Sequence, residues 1–267
     1  MVTIEELINL TGRRALITGA AGHLGKVMAE TLAELGADLV LVDREQSNLE
    51  GLAERLTKRW TVHVECQVCD LERQDQRAEL IIQLLNSDKG LNIIINNAAF
   101  VGTSKLQGWS VPFAEQSADT WRRALEVNLT AVFDLCQRLT PLLKVAKGAS
   151  IINIASIYGM LGPDWKLYEE TSISNIAAYA ASKGGLIQFT RWLATTNAPN
   201  IRVNSISPGG IFRGQPETFV KRYEARTPMC RMATEDDFRG AVAYLSSDMS
   251  NYVTGQNIAV DGGWGVW

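Results

Sequence analysis

Histidine is almost missing from this 267-residue chain, which has only two, and cysteine is scarce at four. Cys66 and Cys69 form a CxxC in a strand-like run, but no second pair or nearby histidine cluster completes a metal site, so no metal is expected. The two read as reduced, buried thiols, in keeping with a reducing compartment. Basic residues are not in excess either. With 26 Lys and Arg against 29 Asp and Glu, the formal net charge is -3, which leaves nothing to neutralise a phosphate backbone and argues against nucleic acid as a partner. No run approaches the roughly 20 apolar residues of a membrane helix. The N-terminus, MVTIEELINLTGRR, lacks an apolar stretch ending in a cleavage site, so the sequon Asn128-Leu129-Thr130 carries no meaning. These absences predict a cytoplasmic protein that enters no membrane. No linker divides the chain, and 46% apolar content suffices for one large core, so a single domain over 1–267 is expected.

What is present begins with ALITG, Ala15 to Gly19, a short apolar run leading into Gly19-Ala-Ala-Gly22-His-Leu-Gly25 and a helical pattern, KVMAETLAELG. Strand, tight glycine turn and helix together suit a dinucleotide cradle. One glycine permits the turn, another lets backbone approach a pyrophosphate, and Gly25 lets helix and strand pack closely. The helix N-terminus offers free N–H groups and a positive dipole end. Ala21, Gly22, His23 and Leu24 fall on this cradle. Asp38 to Val42 reads as a buried strand with Asp43 at its end, eighteen residues beyond Gly25. A carboxylate there accepts from both adenosine ribose hydroxyls and repels a 2′-phosphate, favouring NAD over NADP, whereas the adjacent Arg44 could serve that phosphate instead. After a helix from Ser47 to Trp60, the strand-like TVHVECQV leads to Asp70, and LNIIINNAA puts Asn96, Asn97, Ala98 and Ala99 at another strand end. This rhythm predicts an α/β fold, a Rossmann-type doubly wound parallel sheet with helices on both faces and its ligand crevice beyond the carboxyl ends of the strands.

In the second half, SADTWRRALEVNLTAVFDLCQRLTPLLK reads as one helix carrying Asn128 in an apolar stretch, where a buried amide could merely satisfy neighbouring backbone. Ser150 to Ile154 reads as a strand ending near Ser156. Tyr179-Ala-Ala-Ser-Lys183 then places a phenol and an ammonium one helical turn apart on the same face. A phenol titrates near pH 10 in water, according to its reference pKa of about 10, and an adjacent cation should bring it toward working range.

TGAAGHLG, Asp43, Asp70, NNAA, Asn128 in EVNLT, Ser156 in NIAS, YAASK, SPGG from Ser207 and the closing YVTGQNIAVDGGW together resemble the short-chain dehydrogenase/reductase family over essentially the whole chain. The resemblance implies residues 1–100 as mainly the dinucleotide-binding half and 101–267 as the catalytic and substrate half. It further implies Tyr179 as general acid/base, Lys183 lowering its pKa and holding the nicotinamide ribose, Ser156 donating to the substrate oxygen, and Asn128 positioning a proton-relaying water. Asp70 and Leu71 would meet the adenine, Asn97 and Ala98 the adenosine ribose, and Pro208, Gly209 and Ile211 the nicotinamide. A homotetramer or homodimer is implied too, with the long helices containing Asn128 and Tyr179 packed against their mates.

Three departures stand out. The turn reads TGxxGxxG, with His23 where short members carry glycine; its imidazole either approaches the pyrophosphate or faces solvent. Arg213 in PGGIFR stands where many members have a threonine meeting the nicotinamide carboxamide, and either meets an anionic substrate or is solvated. Ser156 and Tyr179 are twenty-three positions apart, more than the family's usual spacing, so extra residues within Leu161 to Asn175 must bulge between catalytic strand and helix, where they are expected to line the substrate pocket. Tyr158, Trp165 and Tyr168, with the polar residues up to Ser172, either suit a polyhydroxylated substrate or belong to an exposed polar loop. PDWKLYEETS and GGIFRGQPETFVKRY are similar to oxidoreductases of nonulosonate (legionaminic-acid-type) sugar pathways. Phe212 to Pro228 should hold a helix over the active site, starting near Pro216. The expected activity is NAD-dependent interconversion of a secondary alcohol and a ketone on a sugar, sugar phosphate or polyol. The alternatives are an NADPH-dependent 3-oxoacyl-thioester reductase and a non-catalytic dinucleotide sensor.

Overall fold

Seven short strands, the central ones mostly apolar, set the architecture. The computed structural model describes residues 1–44, 46–100, 106–171 and 173–267, with the backbone alone at 46–48; Ser172 of the insert lies outside the described residues. In chain order the elements are α1 (Ile4–Ile8), β1 (Arg14–Thr18), α2 (His23–Glu34), β2 (Asp38–Asp43), α3 (Gln46–Trp60), β3 (Val64–Val68), α4 (Gln74–Leu85), β4 (Ile93–Asn96), α5 (Ala118–Leu125), α6 (Ala131–Lys144), β5 (Ala149–Ile154), α7 (Ala177–Asn197), β6 (Ile201–Pro208), α8 (Glu217–Arg226), α9 (Arg239–Ser246) and β7 (Asn257–Val260).

The strands form one sheet in the order β3-β2-β1-β4-β5-β6-β7, parallel throughout. Helices cover both faces of the parallel sheet, which is why β1, β4, β5 and β6 are buried at every position, and the polar side chains of β6 are hydrogen-bonded there. One face carries Leu80, Leu84, Leu135, Leu139, Leu186 and Leu193 of α4, α6 and α7. The other carries Met28, Leu32, Leu49, Leu52, Val242 and Leu245 of α2, α3 and α9. Each such side chain contributes about 1.5–3 kcal/mol of burial free energy. Because β4 lies on the opposite side of β1 from β2, the chain turns away in opposite directions after β1 and β4, and a crevice opens between their carboxyl ends. The expected doubly wound sheet is the observed one.

Two boundaries differ from the sequence reading. β3 starts at Val64 because Thr61 takes a left-handed conformation, φ 57, which a strand cannot continue through. The long helix around Asn128 is interrupted by a π turn at Glu126–Thr130 between α5 and α6. The helix expected near Pro216 is α8, capped by that proline.

Buried polar bonds fix α7 against the sheet. Asn96 Nδ2 donates to Asn153 Oδ1 at 2.8 Å, and Asn153 Nδ2 donates to Thr190 Oγ1 at 2.9 Å. The Asn128 amide accepts from Phe100 N–H at 2.6 Å and donates to Ser182 Oγ at 2.9 Å. Lys183 Nζ donates to the Ile154 carbonyl at 2.6 Å. Groups buried this deeply are costly when unpaired, so the pairs set a single register for the helix carrying Tyr179.

Candidate active site

The crevice is built from the glycine turn upward. Gly19, at φ +65, reverses the chain after β1. A Cβ on Gly25 would stand 2.1 Å from the Gly19 carbonyl oxygen, so only glycine lets α2 start this close to β1. α2 begins after Gly22 with no side-chain cap and no acidic residue in its first turn, which leaves its N–H groups and positive dipole end facing the crevice. The Ala21 N–H donates to Asp43 Oδ2 at 2.9 Å, and Arg44 N–H donates to Asp43 Oδ1 at 2.7 Å. The carboxylate at the end of β2 thus holds the turn while lining the same space. Ala21 and Gly25 shape the crevice from behind rather than line it.

At the end of β4, Asn97 Nδ2 donates to the carbonyls of Thr18 and Gly19, each at 3.0 Å. Thr18 Oγ1 accepts the Asn97 and Ala98 N–H groups at 3.1 Å. Thr18, a tie between β1 and β4, was not singled out from the sequence. Asn97, Ala98 and Ala99 form one wall, and Asp70 with Leu71 stands opposite. Next to them lies a further group that sequence reasoning missed. Glu72 takes both Arg123 Nε and Nη2, at 2.6 and 3.0 Å, and the Arg123 guanidinium lies 5.0 Å from the Phe100 ring centroid. Arg123 is one helical turn from Val127, and both line the crevice, a pairing that helical spacing could have suggested.

The far end holds Ser156, Tyr179 and Lys183 together, as expected, with Pro208, Gly209 and Ile211 beside them. Ser156 is 6% exposed, and its hydroxyl accepts from Tyr158 N–H at 3.2 Å. The expected electrostatics do not hold. Burial pushes the Tyr179 phenol above its ordinary value; the hydrogen bond from Ser156 and the positive charge of Arg213 work against burial without outweighing it. Lys183 does not counter it. Its ammonium donates one hydrogen bond to the Ile154 carbonyl, its Nζ lies 5.7 Å from the Tyr179 ring centroid, and burial pulls its own pKa down to about 8.

The insert and Asn128 also depart from expectation. Among its described residues the insert does not line the crevice. Tyr158 and Tyr168 bond to each other through their hydroxyls and pack with Leu167 against Phe219 and Tyr223 of α8. Trp165 is 58% exposed. Arg226 pairs with Asp164 at 3.4 Å and Arg222 Nη1 donates to the Glu169 carbonyl at 2.5 Å, so the loop is docked on α8. Asn128 is fully buried behind the wall, its amide engaged on both sides. Arg213 does line the crevice, and so do His23 and Gln215.

The crevice is one continuous cleft of about 690 Å³ running from Asp43 and Asp70, past Gly22, to Ser156 and Tyr179. Hydrogen-bond acceptors at one end, unblocked N–H groups and a glycine cradle in the middle, and a buried ammonium at the other match adenosine, pyrophosphate and nicotinamide ribose in order. The residues present therefore fit a nicotinamide dinucleotide.

Comparison with known proteins agrees. A family model described as enoyl-(acyl carrier protein) reductase matches residues 19–265. A tropinone reductase homolog of Arabidopsis thaliana is 34% identical over 266 residues, covering 97% of this chain and 94% of the relative. A short chain dehydrogenase from Leptospira borgpetersenii serovar Hardjo-bovis with bound NAD+ superposes with TM-score 0.84 at 32% identity, over 99% of this chain and 96% of that one. A gluconate 5-dehydrogenase from Burkholderia cenocepacia J2315 in complex with NADP and tartrate does so with TM-score 0.86 at 28% identity, over 99% and 100%.

Proposed function

Since this chain belongs to the short-chain dehydrogenase/reductase family and is an NAD(P)-dependent oxidoreductase, we propose that it interconverts a secondary alcohol and a ketone on a hydroxylated substrate of the sugar, sugar acid or polyol type. The observation carrying this reading is the meeting of Ser156, Tyr179 and Lys183 at one end of a cleft whose other end bears Asp43 and Asp70. The dinucleotide, when bound, supplies or accepts the hydride. The chain's own task is then one proton at the reacting oxygen. Burial keeps that proton on Tyr179 at neutral pH, ready to pass to a carbonyl oxygen during reduction. Ser156 donates its one hydroxyl proton to the same oxygen. Lys183, anchored on Ile154, holds a cationic donor beside them for ribose hydroxyls. For Asn128 the buried amide bonds favour a positioning role through Ser182, next to Lys183, and any water would have to be held by its backbone.

NAD is the proposed cofactor, because Asp43 brings negative charge to the adenosine end; Arg44 on the same rim is the residue that would serve NADP. A sugar-type substrate draws support from the gluconate 5-dehydrogenase neighbour and from the insert's similarity to nonulosonate-pathway enzymes, but no longer from insert side chains in the pocket. The description of the matching family model favours a second reading, reduction of an acyl thioester with NADPH. Rates with NAD and NADP on a panel of aldonates, pentitols and hexoses, compared with acetoacetyl-thioester reduction, decide. NAD-dependent turnover of a panel member is expected, and thioester activity with NADPH alone would overturn both assignments.

Among the described residues no helix is long and apolar enough to cross a membrane, and a cytoplasmic location is proposed. A homotetramer or homodimer is proposed too. The outer face of α6 and α7 exposes Phe133 and Trp192, at 46% and 56%, joined through Phe189 by ring contacts at 6.0 and 6.3 Å. An aromatic strip of this kind suits a two-fold helix pairing. Light scattering should give a multiple of the 29.4 kDa chain mass, reduced by Trp192→Glu; an unchanged mass in that variant would locate the interface elsewhere.

A further inference from the structure

Arg213 sits on a turn wound onto itself. Its N–H donates to Gln215 Oε1 at 2.7 Å, and Gln215 Nε2 donates back to the Ile211 carbonyl at 2.8 Å. The base of the turn is tied to Ala233, which accepts from Phe212 N–H at 2.9 Å and donates to the Gly210 carbonyl at 2.9 Å. The side chain is held as well. Nε donates to Glu235 Oε1 at 3.2 Å, and among the described residues neither η nitrogen has a hydrogen-bond partner. The same Glu235 oxygen lies 3.7 Å from Nδ1 of His23, the first residue of α2. One carboxylate therefore spans from the guanidinium on the β6 side of the cleft to the helix N-terminus on the β1 side. Arg213, His23 and Gly22 all line the cleft.

We propose that Arg213 is the second half of the diphosphate site, its two η nitrogens closing over the group that the N–H groups of α2 receive from below, with Glu235 as the positioning residue. A guanidinium held through Nε presents Nη1 and Nη2 as a parallel fork, the geometry that two phosphate oxygens accept. The first turn of α2 has no acidic side chain to compete, and Glu235 is already engaged by the Arg213 Nε–H and faces the His23 ring. Anion affinity at the middle of the cleft then comes from both walls, and the guanidinium belongs to the cofactor rather than to an anionic substrate.

This inference rests on the dinucleotide reading, and calorimetric titration separates the two. ADP-ribose carries the diphosphate but no nicotinamide; adenosine carries neither. The wild-type protein should bind ADP-ribose. Arg213→Leu should weaken ADP-ribose by about tenfold or more, the worth of a charge-assisted pair, with adenosine affinity and the thermal midpoint unchanged. Arg213→Lys, which keeps the charge without the fork, should recover part of the loss. Equal ADP-ribose affinity in Arg213→Leu and wild type overturns the proposal, all the more if the variant instead raises KM for a carboxylate substrate. Failure of the wild type to bind ADP-ribose would count against the dinucleotide reading itself.

Discussion

Tyr179→Phe should lower turnover by about 10²- to 10⁴-fold, the worth of one positioned acid/base, with ADP-ribose affinity unchanged. The ring stays, so the cleft keeps its wall, and only the hydroxyl facing Ser156 is lost. The same burial that raises the phenol's pKa predicts the pH profile of the wild type. Reduction needs the protonated phenol and should persist through neutral pH, weakening as the Lys183 ammonium loses its proton at about pH 8 and again as the pH climbs toward the phenol's raised pKa. Alcohol oxidation needs the phenolate, so its rate should climb with pH over the alkaline range. Stopped-flow rates in both directions check both points. A Phe variant within about threefold of wild type would remove Tyr179 from the proton path assigned by acid/base catalysis.

The second large effect belongs to Gly25. Gly25→Ala forces a methyl to 2.1 Å from the Gly19 carbonyl and an approach of 2.8 Å to Ala20 Cα, both backbone atoms that cannot rotate away. α2 must then lift from β1, at an expected cost of about 1–3 kcal/mol or more from overpacking. Its N–H groups turn out of line with the cleft as it lifts. Thermal unfolding and ADP-ribose titration should both register the change. Gly51→Ala is the matched control. It sits within α3 with nothing within 4 Å of its added Cβ, so it should leave binding untouched and change stability by no more than about 1 kcal/mol, in the stabilising direction. Equal behaviour of the two variants would refute the close-approach argument.

Where the sequence proved readable, short-range chemistry had already decided the structure. A parallel strand buried on both faces spells an apolar run, so ALITG, DLVLVD and LNIII announce β1, β2 and β4, and polar residues at or just past the strand ends fall at the crevice. Asp43, Asp70 and Asn97 could be placed for that reason. Tyr158, Trp165 and Tyr168 could not. Chain spacing gives the insert's length but not its direction, and the surface that receives it is α8, about fifty residues further on, through Arg222, Arg226 and Phe219. Glu72, Arg123 and Phe100 meet only once three separate connections converge. The electrostatic error has the same origin. The spacing of Tyr179 and Lys183 shows that a charge can stand near a phenol, whereas desolvation depends on everything packed around them, and here it dominates both groups. The π turn at Asn128 was equally hidden, because the flanking segments each keep a helical apolar period and the turn shows only as a phase shift between them.

α7 performs two tasks on opposite sides of one cylinder. Its inner side is registered by hydrogen bonds from Asn128, Asn153 and Lys183, and its outer side shows Trp192 to solvent. Since the inner bonds hold the rod whatever decorates its back, a change confined to the rear, such as Trp192→Glu, should leave the position of Tyr179 as it is.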